Sequence, residues 1–499
     1  MPKLFIFAIG GTGSRVLKSL AMLLAAGVKP DRKQDFEIVP MIIDPHIQNQ
    51  DLQRTKRLLE NYKSIVDKVK LGNGFFNTDI TPLNDDAQDP NFVFNLRADS
   101  ESENTFRDYI ALNTINDANK PLAEVLFSGK SINNLGDSID LLDIQMDIGF
   151  VGNPNIGSVV LNQFKDFEEF RDFSNKFNEQ DRIFIISSIF GGTGAAGFPI
   201  ILKNIRNAIN LQNAVARGFL QNAKVGALTV CPYFNIQANE NSPIQRSHFI
   251  AKTRAALYYY KDNITGNNSV NALYYIGDDY IGEAYQNDPG NSGQKNKAHF
   301  IELASALAII DFLDIPDEQL RCNNGRAQNP IYKQFAIRND IQEITFADLC
   351  DGTNGKIELR LSQLTFLYKY VNKHLREALE QQPWTQDEPR IDDAFLNTPF
   401  YRTYLSQFLD SYKDWLTEMA ENKRAFSPFN LNSNLETLIK GRQVKGGIFG
   451  GRVDYNRFDD YLNRAAQDQQ YASAEQKFVK LFFDATKNLL TEKFGFQKQ

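Results

Sequence analysis

Two stretches of the chain share one order of apolar and polar positions: an apolar run, a cluster of glycines and a helical pattern. Residues 4–9 are apolar throughout, and residues 182–190 form a similar run. Such continuous runs are typical of strands that are buried on both faces of a parallel sheet. Apolar residues then recur at helical spacing over residues 14–26, and a second helix is predicted over residues 198–209. Both stretches predict a buried strand that leads through a glycine turn into a helix.

The rest of the pattern extends this alternation. Further strands are predicted over residues 36–43, 224–231 and 271–276, and further helices over residues 50–70, 159–177, 243–261 and 297–312. Alternating strands and helices specify a parallel sheet that is covered on both faces, so the predicted fold class is α/β and Rossmann-like. Residues 72–146 are polar and rich in Asn and Asp, which predicts an insertion with short helices.

The C-terminal part of the chain has a different pattern. Residues 314–333 are predicted to be a loop, and helices are predicted over residues 357–381, 400–424 and 456–495. We therefore expect one α/β domain over residues 1–313, which contains the 72–146 insertion. Residues 314–499 are expected to form an α+β intermediate part and a helical C-terminal region.

Composition and charge exclude several classes of protein. Hydrophobic residues make up 42% and charged residues 23% of the chain, as in ordinary globular proteins. A net charge of −6 argues against non-specific binding to nucleic acid. No apolar run approaches the roughly 20 residues that cross a bilayer, and the N-terminal residues lack a signal-peptide pattern. Cys231, Cys322 and Cys350 are far apart, which predicts neither disulfides nor a zinc site. We expect a reduced, cytoplasmic protein without a membrane span.

The glycine clusters carry the chemistry. We call Gly10, Gly11, Thr12 and Gly13 the first glycine loop, and Gly191, Gly192, Thr193 and Gly194 the second glycine loop. A glycine turn between a strand and a helix lets the backbone approach a phosphate closely, and the helix start offers N–H groups and a favourable dipole. Neither loop has the Lys of a P-loop. Two such loops in one chain indicate a nucleotide site.

A dinucleotide site remains an alternative. Gly192, Gly194 and Gly197 match the spacing G-x-G-x-x-G, but the following predicted strand ends in Cys231 rather than in an acidic residue. The first glycine loop is followed by a strand that ends at Asp44, yet Val16 occupies the position of its third glycine. Each loop satisfies half of the pattern, so an NAD(P)-dependent oxidoreductase stays open.

Several motifs, taken in order, resemble the tubulin/FtsZ superfamily, and in particular its divergent bacterial tubulin-like members. Residues 191–197 are similar to the family's phosphate-binding signature, and residues 9–15 to its first nucleotide loop. Residues 152–157 resemble its third loop, and residues 228–235 resemble the strand that leads to its ribose loop. The helix at 297–312 falls where the family has its long central helix. The resemblance covers residues 3–350, with a gap at the insertion.

This resemblance implies a site for GTP or GDP with Mg²⁺. Asp44 would lie near the Mg²⁺, Asn153 and Asn155 near the terminal phosphate, and Phe300 and Glu302 near the base. The nucleotide-binding set that it implies is Gly10, Gly11, Thr12, Gly13, Ser14, Arg15, Asp44, Gly152, Asn153, Asn155, Gly157, Gly191, Gly192, Thr193, Gly194, Ala195, Phe300 and Glu302. Arg15 replaces an amide of the family, which leaves guanine or adenine preference open.

The resemblance also implies assembly. In the family, an acidic loop after the central helix completes hydrolysis in the next subunit, so homo-oligomers form head-to-tail filaments. Here Asp348 aligns with the second acid, Thr345 stands at the first, and Glu343 is a nearby carboxylate. Another interpretation is that Thr345 and Asp348 simply start a helix. GTP hydrolysis therefore stays open.

A second hypothesis follows from the missing acid at Thr345, the insertion and the long helical tail. It is a nucleotide-binding scaffold or regulator that does not hydrolyse GTP. Such a protein would act in a bacterial multi-protein system, for example in defence against phage, with protein partners on its C-terminal helices.

Overall fold

A six-stranded parallel sheet forms the centre of the chain. The structure is a computed structural model that describes residues 1–32, 34–85, 91–94, 96, 105–132, 138–146, 150, 153–208, 213–233, 235–236, 246–278, 284–285, 295–335, 341–445, 452–467 and 469–497. The strands are β1 Lys3–Ile9, β2 Glu37–Ile43, β3 Lys130–Ile132, β4 Ser138–Asp140, β5 Arg182–Ser188, β6 Lys224–Val230, β7 Asn235–Ile236, β8 Ala272–Ile276, β9 Ala284–Tyr285, β10 Cys322–Asn323, β11 Arg326–Ala327, β12 Ile331–Phe335, β13 Glu343–Ile344 and β14 Ala425–Phe426.

The sheet has the strand order β12-β8-β6-β5-β1-β2, and every neighbouring pair is parallel. The remaining strands form the two-stranded pairs β3–β4, β7–β9, β10–β11 and β13–β14. The α-helices are α1 Gly10–Ala25, α2 Gln50–Val69, α3 Phe106–Tyr109, α4 Lys120–Leu126, α5 Pro154–Asn162, α6 Glu168–Lys176, α7 Gly192–Asn207, α8 Ala214–Gln221, α9 Arg246–Tyr260, α10 Phe300–Asp314, α11 Asp351–Lys373, α12 Leu375–Gln381, α13 Pro383–Gln386, α14 Asp393–Leu396, α15 Ser406–Ala420, α16 Tyr455–Ala466 and α17 Ala474–Phe494.

The predicted fold class is confirmed. The continuous apolar runs became β1, β2, β5, β6 and β8, because both faces of these strands are covered. Three local predictions are wrong. The helix predicted over residues 456–495 is two helices, since α16 ends at Ala466 and α17 begins at Ala474. The helix predicted over residues 159–177 is two helices, α5 and α6, joined by the short 3₁₀ turn Gln163–Asp166. The loop predicted over residues 314–333 ends in the edge strand β12, whose central residues are exposed and therefore lack an apolar run.

Alternate residues of β1 point into two separate cores. Leu4, Ile6 and Ala8 belong to one core with α1 and α10, while Phe5, Phe7 and Ile9 belong to the other with α5, α6 and α7. This alternation is the period of two expected for a strand.

The first of these cores also contains the buried faces of α11, α15, α16 and α17. For example, the indole Nε1 of Trp415 on α15 donates to the Oγ of Ser19 on α1 at 3.1 Å. The C-terminal helices thus complete a core that begins at β1. The boundary at residue 313 stays a prediction, and the sheet takes its sixth strand from beyond it.

The described part of the 72–146 segment contains α3, α4 and the pair β3–β4, as expected for an insertion with short elements. It is tied to the sheet by parallel bridges from Ile38 to Ile80 and from Ile42 to Val93. Within the described residues, no helix is both long and apolar enough to cross a bilayer.

Candidate functional site

The two glycine loops meet at one edge of the sheet. The strands β1 and β5 are parallel neighbours, with Ala8 opposite Ile186, so their carboxyl ends lie side by side. The first glycine loop follows β1 and the second follows β5. A Cβ atom built on Gly10 would lie 3.6 Å from the Cβ of Thr193. The structure therefore brings together the two loops that the sequence singles out.

Both loops form the first turns of helices. The helix α1 begins at Gly10, which has a φ of +71°, and α7 begins at Gly192 with Gly191 as its N-cap. Neither N-cap residue accepts a hydrogen bond with a side chain, and neither first turn contains an acidic residue. The leading N–H groups of a helix lack partners within the helix, and its dipole is positive at this end. Two such ends at one edge favour an anionic ligand.

The glycines of the loops have different roles. A Cβ on Gly13 would lie 2.5 Å from the carbonyl carbon of Ala8, and one on Gly194 would lie 2.8 Å from the backbone N and O of Ser188. These two glycines allow the helices to pack closely on the ends of their strands. A Cβ on Gly11 would meet only side-chain nitrogens, at 3.5 Å (Arg15) and 3.8 Å (Asn49). Packing therefore does not require glycine at position 11.

The other residues of the loops differ in exposure. Gly11, Gly191, Thr193 and Ala195 are partly exposed, whereas Gly10, Gly13, Gly192 and Gly194 are buried. Thr12 and Ser14 are buried as well, and the Ser14 hydroxyl donates back to the Gly10 carbonyl at 3.4 Å. The surface available at this edge is therefore mostly backbone and the Thr193 side chain.

Residues 152–157, which resemble the family's third nucleotide loop, lead into α5 next to the second glycine loop. Gly152 is outside the described residues, Asn153 is half-buried in front of α5, and Asn155 is exposed. A Cβ on Gly157 would lie 2.8 Å from the Phe150 ring and 3.0 Å from the Ala196 Cβ. Gly157 thus lets α5 pack against α7, the helix that starts at the second glycine loop.

A buried polar network lies beside the first glycine loop, and Arg15 is its centre. The Arg15 Nε donates to the Glu302 Oε1 at 2.6 Å, and Nη1 donates to the Asp51 Oδ2 at 3.0 Å. Its Nη2 donates to the Tyr233 hydroxyl at 3.0 Å, which donates to the Glu302 Oε1 at 3.0 Å. Although burial opposes it, Tyr233, Glu302 and Asp51 raise the pKa of Arg15 well above its ordinary value. This network joins α1, α2, α10 and the segment after β6.

Arg15 and Glu302 were predicted as site residues from the sequence, whereas Asp51 and Tyr233 were not. Tyr233 lies within the 228–235 motif, which gave a signal, while Asp51 was visible only as an acidic residue in the first turn of α2. Asp51 also accepts from the backbone N and the Nδ2 of Asn296, at 3.1 Å and 2.7 Å. Every carboxylate oxygen in this network that contacts Arg15 therefore has a second donor.

The start of α10 is capped by a neutral histidine. The Ile301 N–H donates to the His299 Nδ1 at 3.1 Å, and the His299 N–H donates to the Glu302 Oε2 at 3.2 Å. Burial, together with the charges of Arg15 and Arg424, lowers the pKa of His299 to about 3. A neutral ring suits the acceptor role of Nδ1.

Phe300 and Glu302, the predicted base contacts, are both buried. The Phe300 ring is 2% exposed and lies 5.9 Å from the Phe335 ring and 5.1 Å from the Phe426 ring. Glu302 is held by Arg15, Tyr233 and the His299 backbone. In this conformation both side chains are packed in the interior of the protein, so neither is exposed at the surface of the site.

Asp44 directly follows β2, the strand next to β1, and is buried. Its Oδ1 accepts from the His46 N–H at 3.0 Å. Burial, with a smaller contribution from Asp51, raises the pKa of Asp44 to about 7. Mg²⁺ commonly takes one or two carboxylates together with phosphate oxygens. Among the described residues, no three His, Cys, Asp or Glu side chains are arranged to hold a metal. Asp44 therefore suits a Mg²⁺ ion only if a phosphate ligand supplies further oxygens.

Glu343 and Asp348, the predicted hydrolytic acids, have local partners. The Lys440 Nζ donates to the Glu343 Oε1 at 2.6 Å. The Asp348 Oδ2 accepts from the N–H and the hydroxyl of Thr345, both at 2.8 Å, which is a capping box.

The segment that contains Glu343 lies beside the central helix α10. Ile344 pairs with Phe426, whose ring packs against Phe300 at the first turn of α10. The segment therefore begins beside the end of α10 that lies near Arg15. The far end of α10 instead contacts Arg182, at the start of β5, through the Phe312 carbonyl. Glu343 therefore lies on the side of the chain where α10 begins.

Comparison with known proteins gives only remote likenesses. No protein-family model matches the chain, and no curated protein matches it. Among solved structures, CetZ from Methanosaeta thermophila strain DSM 6194 aligns with 12% identity and a TM-score of 0.29, over 63% of this chain and 52% of that chain. CetZ2 from Haloferax volcanii, a GTPγS-bound protofilament, aligns with 11% identity and a TM-score of 0.28, over 62% of this chain and 58% of that chain. The matches span little more than half of either protein.

Proposed function

We propose that this chain is a tubulin/FtsZ-like GTP-binding protein that holds one nucleotide where the two glycine loops meet. The observation that carries the proposal is that α1 and α7 start next to each other, so close that a Cβ built on Gly10 would lie 3.6 Å from the Thr193 Cβ. Two uncapped helix starts in contact suit one chain of phosphates, because their N–H groups converge on a single anion.

Each part of the site has a proposed role. The backbones of both glycine loops bind the phosphates, with Thr193 adding its hydroxyl. Asp44 holds a Mg²⁺ that is shared with the phosphates, and the bound ion offsets their charge. Asn153 and Asn155 approach the terminal phosphate from the start of α5. Arg15 and Glu302 fix the relative positions of α1 and α10 behind the nucleotide.

Binding is tested with the nucleotide that is released from purified, denatured protein and with titration of the emptied protein. Gly11→Ala is the most informative variant. A methyl group there fits the fold but hinders the approach of a phosphate to the backbone. We expect at least a tenfold loss of GTP affinity. The matched control is Gly218→Ala on α8, where a Cβ would meet no atom within 4 Å. Equal affinity of both variants would contradict phosphate binding at the first glycine loop.

The same experiment separates GTP from NAD(P). The strand after the second glycine loop, β6, ends at Val230 and is followed by Cys231, so no carboxylate stands where a ribose is held in dinucleotide sites. Release of NAD(P) rather than GTP or GDP would overturn the tubulin-like proposal.

We further propose that the protein assembles head to tail into filaments and that Asp348 takes part in GTP hydrolysis. Light scattering with and without GTP tests assembly, and phosphate release tests hydrolysis. Asp348→Ala removes the acid and both hydrogen bonds to its carboxylate, whereas Thr345→Ala removes the hydroxyl and leaves the acid with the bond from the backbone N–H. Loss of turnover in Asp348→Ala with retention in Thr345→Ala supports the proposal, and equal behaviour of the two variants contradicts it.

A second candidate is the nucleotide-binding scaffold or regulator without turnover. It is favoured by a specific observation: Glu343 pairs with Lys440, and Asp348 caps its own turn. Both acids thus have structural partners within the chain. Nucleotide binding without phosphate release, and light scattering that does not respond to GTP, would select this function.

A further inference from the structure

The helix α7, which begins in the second glycine loop, starts with residues that form helices poorly. Gly194, Gly197 and Pro199 all lie in its first turns, and glycine and proline are the residues least favoured inside a helix. Packing requires both glycines, because a Cβ would lie 2.8 Å from the Ser188 backbone at one of them and 2.9 Å from the Ile9 side chain at the other. The start of α7 therefore needs support from outside the helix.

Pro199 also removes one hydrogen bond from these turns. In an α-helix each N–H donates to the carbonyl four residues earlier, so residue 199 would serve the Ala195 carbonyl. Proline has no N–H, and its ring crowds that same carbonyl. Ala195 directly follows the second glycine loop. Its carbonyl oxygen consequently lacks its usual donor within the helix.

Tyr260, the last residue of α9, supplies a donor to this carbonyl. The Tyr260 hydroxyl donates to the Ala195 oxygen at 3.3 Å. The side chain is buried, and its ring meets the Phe198 ring edge-on with the centroids 5.2 Å apart. The Ser187 side chain lies within hydrogen-bonding reach of the same hydroxyl. Burial raises the pKa of Tyr260, so the hydroxyl keeps the proton that it donates.

We propose that Tyr260 is a positioning residue of the phosphate site, whose hydroxyl replaces the hydrogen bond that Pro199 removes and holds the second glycine loop in its binding conformation. This inference rests on the proposed nucleotide site. Without the hydroxyl, the glycines before Ala195 would resist a change of backbone conformation only weakly. The N–H groups at the start of α7 would then no longer be held in the direction of the phosphates, and affinity would fall.

The test is a double-mutant cycle on the full chain, with GTP and Mg²⁺ titrated in a calorimeter. Tyr260→Phe removes the hydroxyl and keeps the ring, and Pro199→Ala returns an N–H to position 199. We expect Tyr260→Phe to weaken GTP binding about fivefold, as loss of one hydrogen bond allows. In Pro199→Ala protein the same change should weaken binding by less than about twofold, because the helix then supplies its own donor.

The matched control is Tyr258→Phe, which removes an exposed hydroxyl from the same helix and should leave the affinity unchanged. Unchanged affinity in Tyr260→Phe would overturn the proposal, even if that variant were less stable, because a purely structural role predicts this result. An equal loss of affinity with and without Pro199 would overturn it as well.

Hydrogen exchange without nucleotide separates this inference from the proposed function. The peptide that covers residues 191–197 should exchange about fivefold faster in Tyr260→Phe than in wild type, and Pro199→Ala should reverse the change. Unchanged exchange would overturn the role of the hydroxyl, and this measurement decides alone if Pro199→Ala does not fold by circular dichroism. Wild-type protein that binds no GTP would contradict the proposed function and the role of Tyr260 in phosphate binding, whereas faster exchange in Tyr260→Phe would still support its contact with Ala195.

Discussion

The Arg15 Nε and the Glu302 Oε1 lie 2.6 Å apart, although the two residues are separated by 287 positions. This contact joins the helix of the first glycine loop to α10, and both side chains are buried. The Arg15 guanidinium also pairs with Asp51, so one cation contacts two buried carboxylates.

Removal of Arg15 should therefore be more harmful than removal of one carboxylate. In Arg15→Met, Glu302 and Asp51 would stay buried without their cation, which typically costs about 3–5 kcal/mol. In Glu302→Gln, an amide oxygen still accepts from Arg15, and we expect a loss of about 1–3 kcal/mol. Equilibrium unfolding in urea measures both changes in the free energy of unfolding.

The control for this prediction is Arg457→Met, which breaks an exposed pair with Asp460 within α16. Exposed pairs contribute at most about 1 kcal/mol. An Arg15→Met variant no less stable than Arg457→Met would show that the buried network does not stabilise the junction of α1, α2 and α10.

Gly13→Ala should destabilise the fold, whereas Gly11→Ala should not. A Cβ on Gly13 would lie 2.5 Å from the Ala8 backbone, so α1 would have to shift away from β1. Overpacking of this kind costs about 1–3 kcal/mol or more. At Gly11 the neighbours leave room, and Ala is favoured over Gly inside a helix by about 1 kcal/mol. Thermal unfolding without nucleotide compares the two variants. A Gly13→Ala protein that is as stable as Gly11→Ala would contradict the close approach of α1 and β1.

His299 should make the protein less stable in mild acid. Its pKa is about 3 in the folded chain, against about 6.5 in an unfolded chain, so the unfolded state binds its proton first. The stability that the neutral ring contributes is complete above about pH 6.5 and is lost as the pH falls from there towards 3. At about pH 5 the loss should be about 2 kcal/mol.

His299→Asn isolates this effect, because the Asn side chain still offers an acceptor to the start of α10. The free energies of unfolding of wild type and variant are compared at about pH 7.5 and about pH 5. We expect the difference between the two proteins to shrink in acid. A difference that is the same at both pH values would show that His299 does not titrate in this range.

The sequence pattern predicted those elements whose consecutive residues are all buried, because such elements appear as unbroken apolar runs. The apolar run that became β5 is such a case, since each residue in it faces a covered surface. The edge strand β12 was missed, because Tyr332, Lys333 and Gln334 are exposed and give no apolar run. Only the parallel pairing with β8 makes this segment a strand.

The candidate site shows the same limit. Gly10 and Thr193 were recognised because each lies in a local motif, and their contact follows from the pairing of β1 with β5. Arg15 and Glu302 were each predicted to contact a nucleotide, because the resemblance to the tubulin/FtsZ superfamily implies it. Their pairing with each other depends on the packing of α1 against α10, which no local pattern encodes.

A fragment that ends at residue 313 should not fold as an independent domain. It would lack β12, which covers the edge of β8, and every helix that completes the core around α1. The Glu418 carboxylate would also be lost, although it accepts from the Lys18 Nζ at 3.2 Å and the Ala298 N–H at 3.0 Å. We expect the fragment of residues 1–313 to unfold without cooperativity and to be cut rapidly by protease, whereas the full chain unfolds in a cooperative transition.

A fragment of residues 1–335 controls for the missing edge strand and should remain unstable, because Leu17, Leu20 and Leu24 on α1 would still lack the C-terminal helices that pack in their core. Cooperative unfolding of either fragment would mean that the sheet and its N-terminal helices suffice for a domain.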